Sequence, residues 1–269
     1  MKVVFFSSIY PGPVNLLSIN YLMQECPDFE YHLVVVNNRT NHFKMKVIKV
    51  FKSILLFLLF KRSIRDDSRK AIESRIREEC IRIGSRKLTQ IIVKDCNGLA
   101  TEQVLIDLKP DVILQCGAGI LKKNIFNIAR FGALNVHHGI APEIRGISST
   151  FWALFYGRPD LIGTTIHLID ETLDTGLVII QKQTQLGFNC DYIETQIRTI
   201  LQGVRLLPEA INILKANYKV NELSVDSFYF SKVSEKHFQL LEANSFQQVK
   251  SLNEVKSKIK CKKIIELLN

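Results

Sequence analysis

Two short stretches of this 269-residue chain hold residue types that can stabilise and relay charge. In Leu134-Asn135-Val136-His137-His138-Gly139, residues two apart share a face of an extended strand, so Asn135 and His137 project together and His138 takes the other side. An amide donor beside an imidazole can stabilise a developing oxyanion, although Asn-x-His alone also occurs as plain strand sequence. Downstream, Asp170-Glu171-Thr172-Leu173-Asp174-Thr175-Gly176 sets an aspartate on a tight loop. Asp-Thr-Gly also marks aspartic proteases, but those need two such loops to pair two carboxylates, and this chain has one. A single loop aspartate can instead orient an imidazole and stabilise its charge. Near the start, Ser7, Ser8 and Asn15 flank a Pro/Gly turn that opens a helical pattern. They can meet an anionic group at the helix N-terminus or simply cap the turn. The loop lacks both G-x-G-x-x-G and G-x-x-x-x-G-K-[ST], so dinucleotide and P-loop readings have no motif support.

These residues need elements to hold them. Short apolar runs at residues 3–6, 31–36, 90–93, 111–116, 133–136, 164–169 and 177–181 read as buried strands. Helical patterns at 14–23, 67–87, 102–108, 123–129 and 192–214 alternate with them. That alternation predicts an open α/β sheet, whose ligands sit beyond the carboxyl ends of the strands. The residues following Cys116, Val136 and Ile169 therefore matter most. Trp152, with Phe151 and Phe155, reads as helix core, or as an aromatic platform.

With 46% hydrophobic and 23% charged residues the chain can bury a core, which excludes disorder as its main state. Six scattered cysteines without C-x-x-C give neither a disulfide framework nor a zinc site, and the short apolar start is no signal peptide, so a cytoplasmic location is expected. Net charge is +10, and residues 41–75 hold ten basic side chains against three acidic ones. Inside that window, residues 54–60 form an apolar run far shorter than the ~20 residues a bilayer span needs. Residues 44–75 thus read as a helical insertion that docks on the core, pairs two copies as a homodimer, or lies on the inner membrane surface.

Taken together, Asn135-Val-His137, Pro142-x-x-Arg145-Gly146, Thr165-Ile-His167 and Leu173-Asp174-Thr-Gly176-x-x-Ile179-Ile-Gln181 resemble the folate-dependent formyltransferases, which act on glycinamide ribonucleotide, methionyl-tRNA or amino sugars. The resemblance implies a Rossmann-like, mostly parallel sheet with helices on both faces over residues 1–214, and a small C-terminal extension over 215–269. It implies 10-formyltetrahydrofolate as formyl donor, with no metal. Asn135, His137 and Asp174 match the family's catalytic three: an acceptor amine attacks the formyl carbon, Asn135 and His137 stabilise the oxyanion, and Asp174 orients His137 and helps proton transfer. By position, Gly117, Ala118, Gly119, Ile120, Leu121 and Asp170 would lie against the pterin.

Departures from the family pattern narrow the acceptor. His138-Gly139-Ile140-Ala141-Pro142 replaces the usual residues after the histidine, leaving His138 as a ligand contact or a surface residue. His167 alternates into the packed face of its strand and reads as structural. Arg145 could clamp an acceptor phosphate or brace its loop. Only some 55 residues follow the last helix, too few for the barrel-like domain of tRNA-acting members, and the N-terminal loop lacks the Gly-Ser-Asn of the glycinamide ribonucleotide enzymes. No nucleic acid is expected; the acceptor expected is a phosphorylated or nucleotide-linked amino sugar of surface polysaccharide synthesis. A non-catalytic, membrane-docking binding module is the alternative from a different class.

Overall fold

Alternation along β1 (Lys2–Ser8) sorts the core into two layers. Val3 and Phe5 face one side, packing with Ile19 and Leu22 of α1 (Pro13–Glu25) and with Leu207 and Ile211 of α6 (Tyr192–Ala216). Val4 and Phe6 face the other, against Leu105 of α3 (Leu99–Leu108) and Ile125 of α4 (Lys123–Phe126). Each such buried side chain contributes roughly 2 kcal/mol by leaving water. The computed structural model describes residues 1–9, 11–37, 64–84, 87–187, 190–216 and 228–230.

Seven strands lie in the order β3 (Gln90–Val93), β2 (Glu30–Val36), β1, β4 (Val112–Cys116), β5 (Ala133–His137), β7 (Gly163–Leu168) and β8 (Val178–Gln183). From β3 to β5 every pairing is parallel; β7 then runs antiparallel to β5, and β8 to β7. This is the expected Rossmann-like, mostly parallel sheet covered by helices on both faces. The β5–β7 register sets Asn135 opposite His167 and His137 opposite Thr165. Between these strands the chain forms β6 (Ile144–Gly146) and α5 (Ser149–Phe155), where Phe151 and Trp152 are buried as helix core rather than laid open as a platform.

The helix expected over 67–87 is α2 (Ile64–Ile83), which ends earlier because Gly84 takes φ 82° and returns its N–H to Cys80 O at 3.0 Å. Ile76 docks α2 between Leu17 of α1 and Ile197, Ile200 and Val204 of α6. The rest of the basic, apolar stretch, residues 44–63, lies outside the described residues, as do the suggested dimer and membrane contacts. No helix among the described residues is long and apolar enough to cross a membrane. Of the C-terminal extension, the described part is β9 (Phe228–Phe230), which pairs in parallel with β6. The Lys-rich segment at 255–268 also lies outside the described residues.

Candidate active site

The end of β5 and the loop after β7 bring Asn135, His137 and Asp174 into one cluster. Asn135 Nδ2 lies 3.3 Å from Asp174 Oδ1, and His137 Nδ1 lies 3.4 Å from Asp174 Oδ2. The aspartate sits in left-handed backbone, φ 54°, so the loop turns its carboxylate back over the strand ends. The adjoining loop closes tightly: a Cβ on Gly176 would stand 1.7 Å from Leu168 O, space only a glycine leaves.

β6 supplies two backbone partners that the sequence did not reveal. Gly146 N donates to Asp174 Oδ2 at 2.8 Å, and Ile144 O lies 2.8 Å from His137 Nε2. Ser149 Oγ, 3.2 Å from the same nitrogen, also donates to Gly146 O. Acceptors thus stand at both nitrogens of the His137 ring. A neutral imidazole has one N–H and satisfies one of them; a second proton would satisfy both.

His167 belongs to this cluster. Its Nε2 lies 3.2 Å from Asn135 Nδ2 and 3.5 Å from Asp174 Oδ1, while Nδ1 faces Leu168 O at 2.8 Å. The residue is buried, as expected, but its side chain packs against Asn135 and Asp174; the signal missed was the strand register, which no local pattern contains. Burial pushes the Asp174 carboxyl upward, yet contacts from His167, His137 and the Gly146 N–H outweigh it and hold the group below the usual carboxylate range. Burial lowers the His137 imidazole against the opposing pull of Asp174. The resting pair is therefore a carboxylate beside a neutral ring near pH 7.

Two cavities meet at this cluster. One, of about 440 Å3, is bordered by Asn135, His137, His138, Asp174, Tyr192 and Gln196. The other, of about 730 Å3, is bordered by Phe126, Pro142, Ile169, Asp170, Asp174 and Gln181. Asp174 lies in the lining of both. Thr165 Oγ1 ties the segment after β5 to β8: it donates to Gly139 O at 2.7 Å and accepts from Ala141 N and Gln181 Nε2, each at 3.0 Å.

Other expected residues stand elsewhere. Ser7 is fully buried and donates to Cys116 O at 3.0 Å, so it is a structural hydroxyl and not an acceptor contact. Ser8 closes β1 opposite Val36, and the Asn15 amide fills the space a Gly117 side chain would take. Arg145, on β6, borders neither cavity, and its Nε is enclosed without a partner among the described residues. Gly117, Ala118, Gly119, Ile120 and Leu121 also lie outside both linings. Leu121 is packed in the core, and Ile120 O is taken by Asn97 Nδ2 at 2.9 Å. Asp170 does border the larger cavity, with its carboxylate braced by Thr172 N at 3.1 Å and Thr175 Oγ1 at 2.8 Å. His138, expected as a ligand contact or a surface residue, has its Nδ1 enclosed and borders the smaller cavity. Among the described residues no group of His, Cys, Asp and Glu has a metal-binding arrangement.

Residues 96–211 match the family described as formyl transferase. The methionyl-tRNA formyltransferase of Clostridium beijerinckii is 27% identical over 177 residues, 65% of this chain and 56% of that protein. The chain thus spans little more than half the length of this curated relative. Among solved structures, a sugar N-formyltransferase from Shewanella sp FDAARGOS_354 superposes with TM-score 0.54 at 17% identity, covering 90% of this chain and 88% of that one. Glycinamide ribonucleotide transformylase 1 from Symbiobacterium toebii gives TM-score 0.51 at 16% identity, covering 80% and 89%. At these identities the two structures share the fold.

Proposed function

From the membership of this chain in the folate-dependent formyltransferase family, we infer that it moves a formyl group from 10-formyltetrahydrofolate to the amine of a nucleotide-linked amino sugar. The observation that carries the reading is the position of Asp174 in the lining of both cavities, with Asn135 and His137 beside it. A transfer between two bound molecules needs the reacting groups at such a junction. The larger cavity has the volume and the mixed lining that a pterin ring requires, with apolar Phe126 and Ile169 beside Asp170 and Gln181. The donor supplies the formyl carbon and a nitrogen leaving group; the chain supplies the rest.

Asn135 presents an N–H where the carbonyl oxygen gains charge, and one such donor is typically worth ~3 kcal/mol, while His137, with its two nitrogens facing Asp174 and Ile144 O, contributes the positive charge of its protonated ring. Asn135 Nδ2 donates to Asp174 Oδ1 at 3.3 Å and also faces His167 Nε2 at 3.2 Å, so donation to the oxyanion exchanges one of these contacts. Asp174, ionised, favours the protonated His137 ring, which can then satisfy both of its acceptors. A proton released by the amine is thereby held within the cluster until it passes to the folate nitrogen, which leaves as its bond to the formyl carbon breaks.

The sugar acceptor is supported by the smaller cavity, whose described lining contains no Lys or Arg and offers neutral hydrogen-bonding groups. The near end-to-end superposition on a sugar N-formyltransferase agrees with it. A methionyl-tRNA acceptor is the second reading, favoured by the sequence relatives. The test incubates the protein with 10-formyltetrahydrofolate and, separately, nucleotide-linked 4-amino sugars, glycinamide ribonucleotide and methionyl-tRNA, following folate absorbance and product mass. Formylated sugar is the result expected. Formylated tRNA alone overturns the sugar assignment, and donor hydrolysis without any acceptor would make the protein a deformylase.

A further inference from the structure

His138 borders the same cavity as Asn135, His137 and Asp174 but takes no part in their hydrogen bonds. Its placement is nonetheless well determined. Thr150 Oγ1 donates to the His138 carbonyl oxygen at 3.1 Å, which fixes the backbone. Behind the ring, α6 approaches the sheet at Gly203, where an added Cβ would stand 2.9 Å from Val136 Cγ1, 3.0 Å from Thr164 Cγ2 and 3.4 Å from His138 Cε1. The helix therefore passes close enough to back the imidazole.

Nδ1 is enclosed and has no hydrogen-bond partner among the described residues. A ring that borders a cavity with Nδ1 enclosed can meet a ligand through Nε2. An enclosed N–H without an acceptor is costlier and rarer than an enclosed lone pair, so the proton belongs on Nε2 and the ring offers a donor to the cavity. Burial, with the neighbouring His137 acting in the same direction, pushes this imidazole down to about 4, so the donor is neutral at neutral pH. In the same lining, Tyr192 and Gln196 of α6 add neutral polar groups, and Ile72 and Ile147 add apolar surface.

We propose that His138 is a specificity-determining residue for the acceptor, its Nε2–H donating to a hydroxyl of the sugar ring that carries the reacting amine. The lining, uncharged apart from Asp174 and without Lys or Arg, admits a neutral polyhydroxylated ring, and the nucleotide phosphates lie outside this cavity. The inference rests on the sugar-formyltransferase reading above and names the residue that would recognise that sugar.

Steady-state kinetics of the full chain, His138→Phe and His138→Gln test it, with 10-formyltetrahydrofolate as donor and a nucleoside-diphosphate 4-amino-4,6-dideoxyhexose as acceptor. The expected result is an acceptor KM raised about tenfold in His138→Phe, the loss of one hydrogen bond. The donor KM and kcat should change little, and His138→Gln should restore part of the affinity. Long-range 1H–15N NMR of the unaltered protein adds a measurement that survives a misfolded variant. It should report the Nε2–H tautomer, and the acceptor should shift the His138 Nε2 resonance. An unchanged acceptor KM in His138→Phe, or a resonance unmoved by saturating acceptor, overturns the inference alone. No transfer to the sugar by the unaltered protein overturns the functional reading, and the inference with it.

Discussion

Asn135 and His167 are register partners on adjacent antiparallel strands, and their side chains meet at 3.2 Å between Nδ2 and Nε2. His167 Nδ1 faces Leu168 O, and its Nε2 stands between Asn135 Nδ2 at 3.2 Å and Asp174 Oδ1 at 3.5 Å, able to accept from the amide or donate to the carboxylate according to its tautomer. One nitrogen thus adjusts both the amide and the carboxylate of the cluster. His167 acts as a positioning residue, through groups that would touch the reactants.

His167→Ala is expected to lower kcat/KM by about tenfold, with the larger part in kcat. His167 also helps to hold Asp174 below the usual carboxylate range. Its removal should therefore raise the Asp174 pKa and move the acid limb of the kcat/KM profile to higher pH. His167→Gln, which can still pair with Asn135, should recover part of the rate. An acid limb that stays in place would show that His167 only fills space.

His137→Asn and Asp174→Asn should each reduce kcat by ~10²–10³-fold, since each removes a group acting on charge that develops in the transition state. Both replacements are close in volume, so far-UV circular dichroism and the thermal midpoint should stay near those of the unaltered protein. Turnover within a few-fold of normal in either variant would withdraw the catalytic assignment.

Gly176→Ala should cost ~2 kcal/mol or more of stability, because the new methyl meets the Leu168 carbonyl oxygen and the backbone must move. The loop it displaces carries Asp174, so kcat should fall along with the thermal midpoint. Chemical denaturation and formyl transfer on the same sample check both.

The fourth prediction concerns acid stability. In the unfolded chain His138 takes up a proton as pH falls through its ordinary value of 6.5, while in the folded protein it stays neutral until about 4. Over that window the unfolded state binds more protons, so folding stability declines by up to ~1.4 kcal/mol per pH unit from this group. His137, also lowered by burial, acts in the same direction. Urea midpoints measured from pH 7 to pH 4 should fall less steeply in His138→Gln than in the unaltered protein. Parallel slopes would contradict the neutral assignment of His138.

Much of the architecture is written locally. The runs Val3 to Phe6 and Val112 to Cys116, the turn at Pro11–Pro13 and the helical pattern of 192–214 specify their own elements, because strand and helix periods depend on residues a few positions apart. The pairing of Asn135 with His137 on one strand face was legible for the same reason, and Asp174 was recognised by its motif.

Tertiary structure decided the rest. That Ile144 O faces His137 and Gly146 N holds Asp174 depends on how the segment after β5 folds back, which no local period records. His167 reads as packing until the β5–β7 register sets it opposite Asn135, and Ser7 reads as a ligand contact until β4 closes over it. Enclosure of His138 Nδ1 depends on the approach of α6 at Gly203, more than sixty residues away. Local composition chooses strand, helix or turn, whereas which side chains share a cavity depends on long-range register and close packing, and only the assembled chain sets those.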